Sequence, residues 1–318
     1  MSALNPVYDY LHTKTLGDLT SAQDVATIAA DASVQEAVEM QAAKHITSLP
    51  VMKEGGCIGQ VDGLDIVSFI VAAAPKEEDV EAGDEARMEM FHRVITAQQV
   101  QHILDFSGRD TYIPLDTHQP VTMALQLMAD GTHRVPVVAE DGSVVAVLSQ
   151  SAVLRHLVGA GSDDAAENHL VRAGLGAFSE QTLGALGLNT TDDLVTISNS
   201  ETVFSALKKI KEASVSSLAV VDAEGKLIAD LSATTLRGLV LDRFPLLLQS
   251  VGDFLTAHKP DAVAPMTATA ETSFADACTT MASNGIHRLW CVNDAGAPIG
   301  VFSTTDACRT IAHTTFTV

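Results

Sequence analysis

One α/β unit recurs four times along this chain, and that repetition constrains the fold more than any other feature of the sequence. Each copy reads as a short apolar strand, a tight acidic or glycine turn, a second strand and a helix, with an Ala-rich amphipathic helix upstream. The spacing predicts first strands at 49–52, 135–138, 218–221 and 289–292, and second strands at 58–62, 144–149, 227–232 and 299–303. Turns fall at Glu54-Gly55-Gly56, Glu140-Asp141-Gly142, Ala223-Glu224-Gly225 and Asp294-Ala295-Gly296. Glycine in each supplies the positive φ of a tight reversal. Helices are predicted at 64–72, 151–158, 233–241 and 304–311, and upstream at 33–45, 121–131, 201–213 and 273–284, with Ser33 and Ser273 as N-caps. Aligning Pro50, Pro136, Ala219 and Trp290 brings Asp65, Ala152, Thr235 and Asp306 together, with one residue of slack in the first copy.

Short strands alternating with helices define the fold class as α/β, built from four repeats. Residues 14–74 hold copy one, and 75–158 an acidic and helical linker followed by copy two. Residues 159–241 hold a second linker and copy three, and 242–318 copy four. The linker at 76–89 is strongly acidic and reads as a solvated face or loop. A helical stretch is expected from about 90 to 106 and another over 177–186, and Pro245 and Pro260 flank a short helix.

Composition narrows the function classes. With 19 basic against 40 acidic residues the formal charge is -21, a field that repels phosphate backbones and anionic lipid. Nucleic acid and membrane surfaces are therefore poor partners, whereas one locally positive pocket could still take a small anion. Cys57, Cys278, Cys291 and Cys308 form no C-x-x-C pair and read as reduced core thiols of an intracellular, cytoplasmic protein, with the nucleus as a second compartment. No secretory signal and no apolar run of membrane-spanning length is visible.

Two motifs carry chemistry. His-Arg precedes the first strand twice, as His133-Arg134 and His287-Arg288; the equivalent positions elsewhere are Thr47-Ser48 and Ser216-Ser217. Arginine grips a phosphate bidentately, and histidine adds a donor whose charge varies near neutral pH. The second motif, Gly-x-x-Ser-x-x-Asp, spans the second strand and the helix start. It is complete in copy four, from Gly300 through Ser303 and Thr304 to Asp306. Copy one runs from Gly59 to Asp65 with Asp62 in place of the hydroxyl. Copy two keeps Ser149 but has Ala152, and copy three keeps Ser232 but has Thr235.

These motifs and the fourfold repeat resemble the CBS-domain superfamily, in particular the four-repeat gamma regulatory subunits of AMP-activated (SNF1-type) protein kinases, over about residues 15–311. The resemblance implies two tandem CBS-pair (Bateman) modules, copies one with two and three with four, arranged as a disc. It implies nucleotide-binding roles for Asp65, His133, Arg134, Ser149, Ser232, His287, Arg288, Ser303, Thr304 and Asp306. The acid would hold the ribose hydroxyls, and the His-Arg pairs the phosphates of AMP, ADP or ATP. Occupied clefts are then expected at copies one and four.

A plainer reading stands beside each role. Asp306 can equally be a helix cap, and Asp65 a solvated loop acid next to a second negative charge at Asp62. The His-Arg pairs could be structural ties, and Trp290 could be core or the wall of a cleft. No catalytic motif is present: there is no Gly-x-Ser-x-Gly elbow, P-loop, H-E-x-x-H or dinucleotide fingerprint. The leading expectation is a non-enzymatic, adenine-nucleotide-sensing regulatory subunit of a kinase-type complex, needing no cofactor. The alternative is a scaffold or inhibitor on the same fold with degenerate clefts, a phosphatase regulator being one such case. The protein partner would accordingly be a kinase catalytic or scaffold subunit, or a phosphatase.

Overall fold

The structure is a computed structural model that describes residues 6–20, 25–74, 89, 92–94, 96–159, 174–191, 194–233, 244–258 and 264–316. The acidic run at 76–88, the boundary at 160–165 and the copy-three helix at 234–241 lie outside the described residues.

Four three-stranded sheets are present, one per copy. Copy one has β1 (Ile28–Ala29), β2 (Ser48–Lys53) and β3 (Gly56–Asp62), and copy two has β4 (Leu115–Asp116), β5 (Arg134–Val138) and β6 (Val144–Ser149). Copy three has β7 (Thr196–Ser198), β8 (Ser217–Val221) and β9 (Leu227–Ser232). Copy four has β10 (Thr267–Ala268), β11 (Arg288–Val292) and β12 (Pro298–Ser303). The middle strand pairs antiparallel with the strand that follows it and parallel with the short leading strand. All eight strands of the hairpins were legible. The leading strands were missed because two or three residues are too few for a period-two pattern.

The helices follow the predicted order. They are α1 (Pro6–Thr13), α2 (Leu16–Leu19), α3 (Val34–Ala43), α4 (Gly63–Ala73), α5 (Val121–Ala129), α6 (Gln150–Leu157), α7 (Val203–Glu212), α8 (Val251–His258), α9 (Phe274–Asn284) and α10 (Thr304–Phe316). Ser33 and Ser273 cap α3 and α9 as expected, each accepting a backbone N–H from three residues on. Two helical expectations need correction. Of the stretch expected over 90–106, the described residues 92–94 and 96–97 are helical, but 98–108 form a bridge, a short 3-10 turn at Val100–His102 and further turns, and 176–187 hold only the 3-10 turn Gly176–Phe178.

The reason is that these segments pair with a neighbouring copy. The segment before copy one packs on copy two, where Leu16 N donates to Gln119 O at 2.8 Å. The segment before copy two packs on copy one, where Val34 N donates to Gln98 O at 2.7 Å. Copies three and four repeat the exchange: Leu183 N donates to Thr272 O and Val251 N to Glu201 O, both at 2.8 Å. The exchange follows neighbours in sequence, copy one with two and three with four, the tandem grouping that the resemblance implied.

The compact cores run across that grouping. One unit comprises residues 1–25, 112–194 and 266–318, which contain copies two and four; the other comprises 26–111 and 195–265, with copies one and three. Each has its own apolar core. Leu125, Met128, Leu154, Phe274 and Phe302 are among those that fill the first, and Leu49, Val61, Val203, Leu218 and Leu231 the second. Within the first unit α10 packs on α5 and α9 on α6, and within the second α7 packs on α4. Burial of these faces is the main stabilising term.

Candidate ligand-binding site

In copies one, two and four the last strand ends in a residue that caps the following helix, Ser232 ends the last strand of copy three, and the register places the His-Arg position opposite each of these residues. Arg134 pairs with Ser149 and Arg288 with Ser303, while Ser48 pairs with Asp62 and Ser217 with Ser232. Directly opposed side chains on antiparallel strands share a face. Each arginine therefore projects from the same sheet face as its cap. His133, Arg134, His287 and Arg288 all belong to the unit of copies two and four, together with Ser149, Ser303, Thr304 and Asp306. Asp65 and Ser232 belong to the other unit.

In the unit of copies two and four, a polar seam joins the two helix starts. Gln150 is 2 % exposed. Its Nε2 donates to Met128 O at 3.1 Å and Thr132 O at 3.2 Å, and its Oε1 accepts from the hydroxyls of Thr304 and Thr305 at 3.0 Å each. Ser151 Oγ and His287 Nδ1 are hydrogen-bonded at 2.7 Å, so a helix start in copy two holds the copy-four histidine. The carbonyls of His133 and His287 accept from Gln150 N and Thr304 N. Sequence reasoning missed Gln150, Ser151 and Thr305. Their signal is position: they follow the cap residue directly, which places them where two helix starts meet.

Asp306 forms a reciprocal cap with Ser303. One carboxylate oxygen accepts from Ser303 N at 2.9 Å and Ser303 Oγ at 2.6 Å, and Asp306 N donates to Ser303 Oγ at 3.2 Å. The other oxygen lies 3.5 Å from Arg309 Nη1. Ser149 caps α6 through Ala152 N at 3.1 Å. Burial first, then the charge of Asp306, pushes the thiols of Cys291 and Cys308 up to about 11 and 12. Burial likewise raises Cys278 well above the ordinary thiol range.

In the unit of copies one and three the same positions are built differently. Asp62 Oδ1 accepts from Leu64 N at 2.7 Å and Asp65 N at 2.9 Å. Asp65 is 2 % exposed. One of its oxygens accepts from Asp62 N at 3.0 Å and the other from Ser107 N at 2.9 Å. Burial, and next the neighbouring Asp62 charge, raise Asp65 to about 7 against the opposing pull of those N–H groups. Asp65 is thus a buried carboxyl rather than a solvated loop acid. Ser232 is buried, Ser217 Oγ donates to the Asp230 carboxylate, and Ser48 Oγ lies 3.5 Å from Gln60 Oε1. No set of His, Cys, Asp or Glu among the described residues is arranged to hold a metal ion, and none of their helices is long and apolar enough to cross a membrane.

The CBS domain pattern matches this chain at residues 16–72, 108–159, 186–242 and 252–313. Protein SDS23 of Yarrowia lipolytica is 24% identical over 317 residues, covering 92% of this chain and 61% of that protein. Protein sds23/moc1 of Schizosaccharomyces pombe is 23% identical over 298 residues, covering 86% of this chain and 68% of that protein. The chain thus spans roughly two thirds or less of the length of these fungal relatives. Among solved structures, protein MJ1225 of Methanocaldococcus jannaschii, proposed as an archaeal homologue of the AMPK gamma subunit, superposes with a TM-score of 0.68. The match covers 93% of this chain and 99% of that one at 14% identity, a likeness of fold alone. Four matched repeats take up most of the sequence, and the chain belongs to the CBS-domain family.

Proposed function

We propose that this chain is a non-catalytic regulator that acts by holding a protein partner, with the clefts of copies one and three no longer built for nucleotide. The observation that carries this reading is the state of Asp65. The acid that would grip a ribose is buried, and each of its oxygens already accepts a backbone N–H. Likeness to the fungal SDS23 proteins extends along the sequence, whereas likeness to the AMPK-gamma-like protein is one of fold. Both favour a scaffold or inhibitor over a kinase-type sensor subunit. The protein partner is then a phosphatase or kinase component met in the cytoplasm or nucleus.

A second reading is favoured by one specific observation. Both His-Arg pairs and the Ser303/Asp306 motif fall in a single compact unit, a cationic grouping suited to an adenine nucleotide such as AMP, ADP or ATP. The test is calorimetric titration of the folded protein with all three nucleotides, together with an assay for their turnover. The proposal predicts no turnover, and at most the two sites that copies two and four could hold. Four sites per chain, or turnover abolished by replacing one cleft residue, would overturn it. Saturable binding that weakens in Asp306→Ala would establish the second reading for copy four.

A further inference from the structure

Trp290 is the chain's single tryptophan, 3 % exposed, and its indole Nε1–H has no hydrogen-bond partner among the described residues. A buried indole N–H normally finds an acceptor, because leaving one unmade costs the full desolvation of the group. Pro50, Pro136 and Ala219 occupy the same repeat position and bring no side-chain donor, so the extra N–H is particular to copy four.

The register says where the ring stands. Along β11, Leu289 and Cys291 face the aliphatic core with Phe302 opposite. Trp290 alternates to the other face, which it shares with Arg288, and it pairs across the sheet with Val301 as Arg288 does with Ser303. Although buried, Trp290 is not a member of the core cluster. Its neighbours on that face, Arg288, Val301 and Ser303, are all only partly buried. A cation, a hydroxyl and an unpartnered N–H thus line one strip of sheet.

We propose that Trp290 is a ligand-contacting, specificity-determining residue of copy four, its indole N–H reserved for an acceptor atom on a planar group of a small anion. This rests on the nucleotide-binding reading of copies two and four. Two residues along a strand separate positions by about 7 Å. One molecule can therefore reach Arg288 with its anionic end and Trp290 with a heterocycle or carbonyl. An anion without such a planar acceptor group would leave the N–H unmet and bind more weakly.

The test replaces the indole N–H and little else. Incorporating β-(3-benzothienyl)alanine for tryptophan alters position 290 alone, since the chain has one tryptophan. Trp290→Phe serves as the second variant. AMP is the probe, binding is read by calorimetry and by Trp290 emission in the unsubstituted protein, and folding by the unfolding midpoint. The expected result is an unchanged or higher midpoint of the benzothienyl protein without ligand, AMP affinity lower by about tenfold in both variants, and saturable emission change in the unsubstituted protein. Unchanged AMP affinity in both variants would overturn the role of Trp290 while leaving the nucleotide site in place. A lowered midpoint in the benzothienyl protein would show that the N–H is bonded within the fold and would also overturn it. Absence of any AMP binding to the unsubstituted protein would remove the nucleotide reading and this proposal together.

Discussion

The unit of copies two and four and the unit of copies one and three share a plan and differ in what they place just after the last strand of each copy. In the first, Gln150 bridges Thr304 and Thr305, and arginine stands opposite each cap. In the second, Gly63 and Ala233 take those places, close enough that a Cβ on Gly63 would touch Ala233 at 3.6 Å. Serine stands opposite Asp62 and Ser232, and two carboxylates are buried side by side. One seam is cationic and hydrogen-bonded, the other small and acidic. A repeat preserves its scaffold because the core demands it, while the helix-start positions are free to diverge in chemistry.

The largest expected effect probes the acidic seam. Below about pH 4 Asp65 is protonated folded and unfolded alike. As pH rises towards about 7 the unfolded chain releases the proton while the folded chain holds it, so the folded state loses stability; above about 7 the loss is constant. Asp65→Asn removes that ramp. Urea unfolding from pH 4 to 8 should show the substituted protein gaining on the wild type across this window. Each pH unit of the window is worth about 1.4 kcal/mol, with a constant offset for the lost acceptor. A difference independent of pH would contradict the burial of an Asp65 carboxyl beside Asp62.

The next contrast pits equivalent glycines against each other. A Cβ on Gly300 would lie 2.6 Å from Asn189 O and 2.8 Å from Thr190 Cα, both backbone, whereas one on Gly59 would meet the flexible end of Leu104 at 3.0 Å. Gly300→Ala should cost about 3 kcal/mol and Gly59→Ala less than about 1 kcal/mol, read by the same unfolding method. Equal costs would break the comparison at this position. Gln150→Ala, which takes the partner from Thr132 O and from two threonine hydroxyls, should cost about 2 kcal/mol, against less than about 0.5 kcal/mol for Gly63→Ala. Arg309→Ala loses the bond from Nε to Ala129 O at 3.2 Å and should cost about 1 kcal/mol.

Much of this fold was legible because its signals are local. Glycine turns and apolar strand pairs recur in step, and Ser33 and Ser273 announce their helices. The helix expected over 90–106 stops by 98, and the one expected over 177–186 is missing, because the backbone partners there lie on another copy, tens of residues away. For the candidate site, sequence identified the motif residues but not their company. Nothing local shows that Asp65 would meet Ser107 N, or that both His-Arg pairs would fall in one compact unit. Of the two readings that the sequence allowed for Ser303 and Asp306, the structure shows the reciprocal helix cap.

The divergence of the two units is tested most directly by titrating AMP calorimetrically into the wild type, Arg134→Ala/Arg288→Ala and Asp65→Asn. The account predicts that the double arginine substitution weakens binding by tenfold or more, and that Asp65→Asn leaves it unchanged. Binding that survives loss of both arginines and disappears with Asp65→Asn would place the ligand chemistry in the other unit and contradict the account.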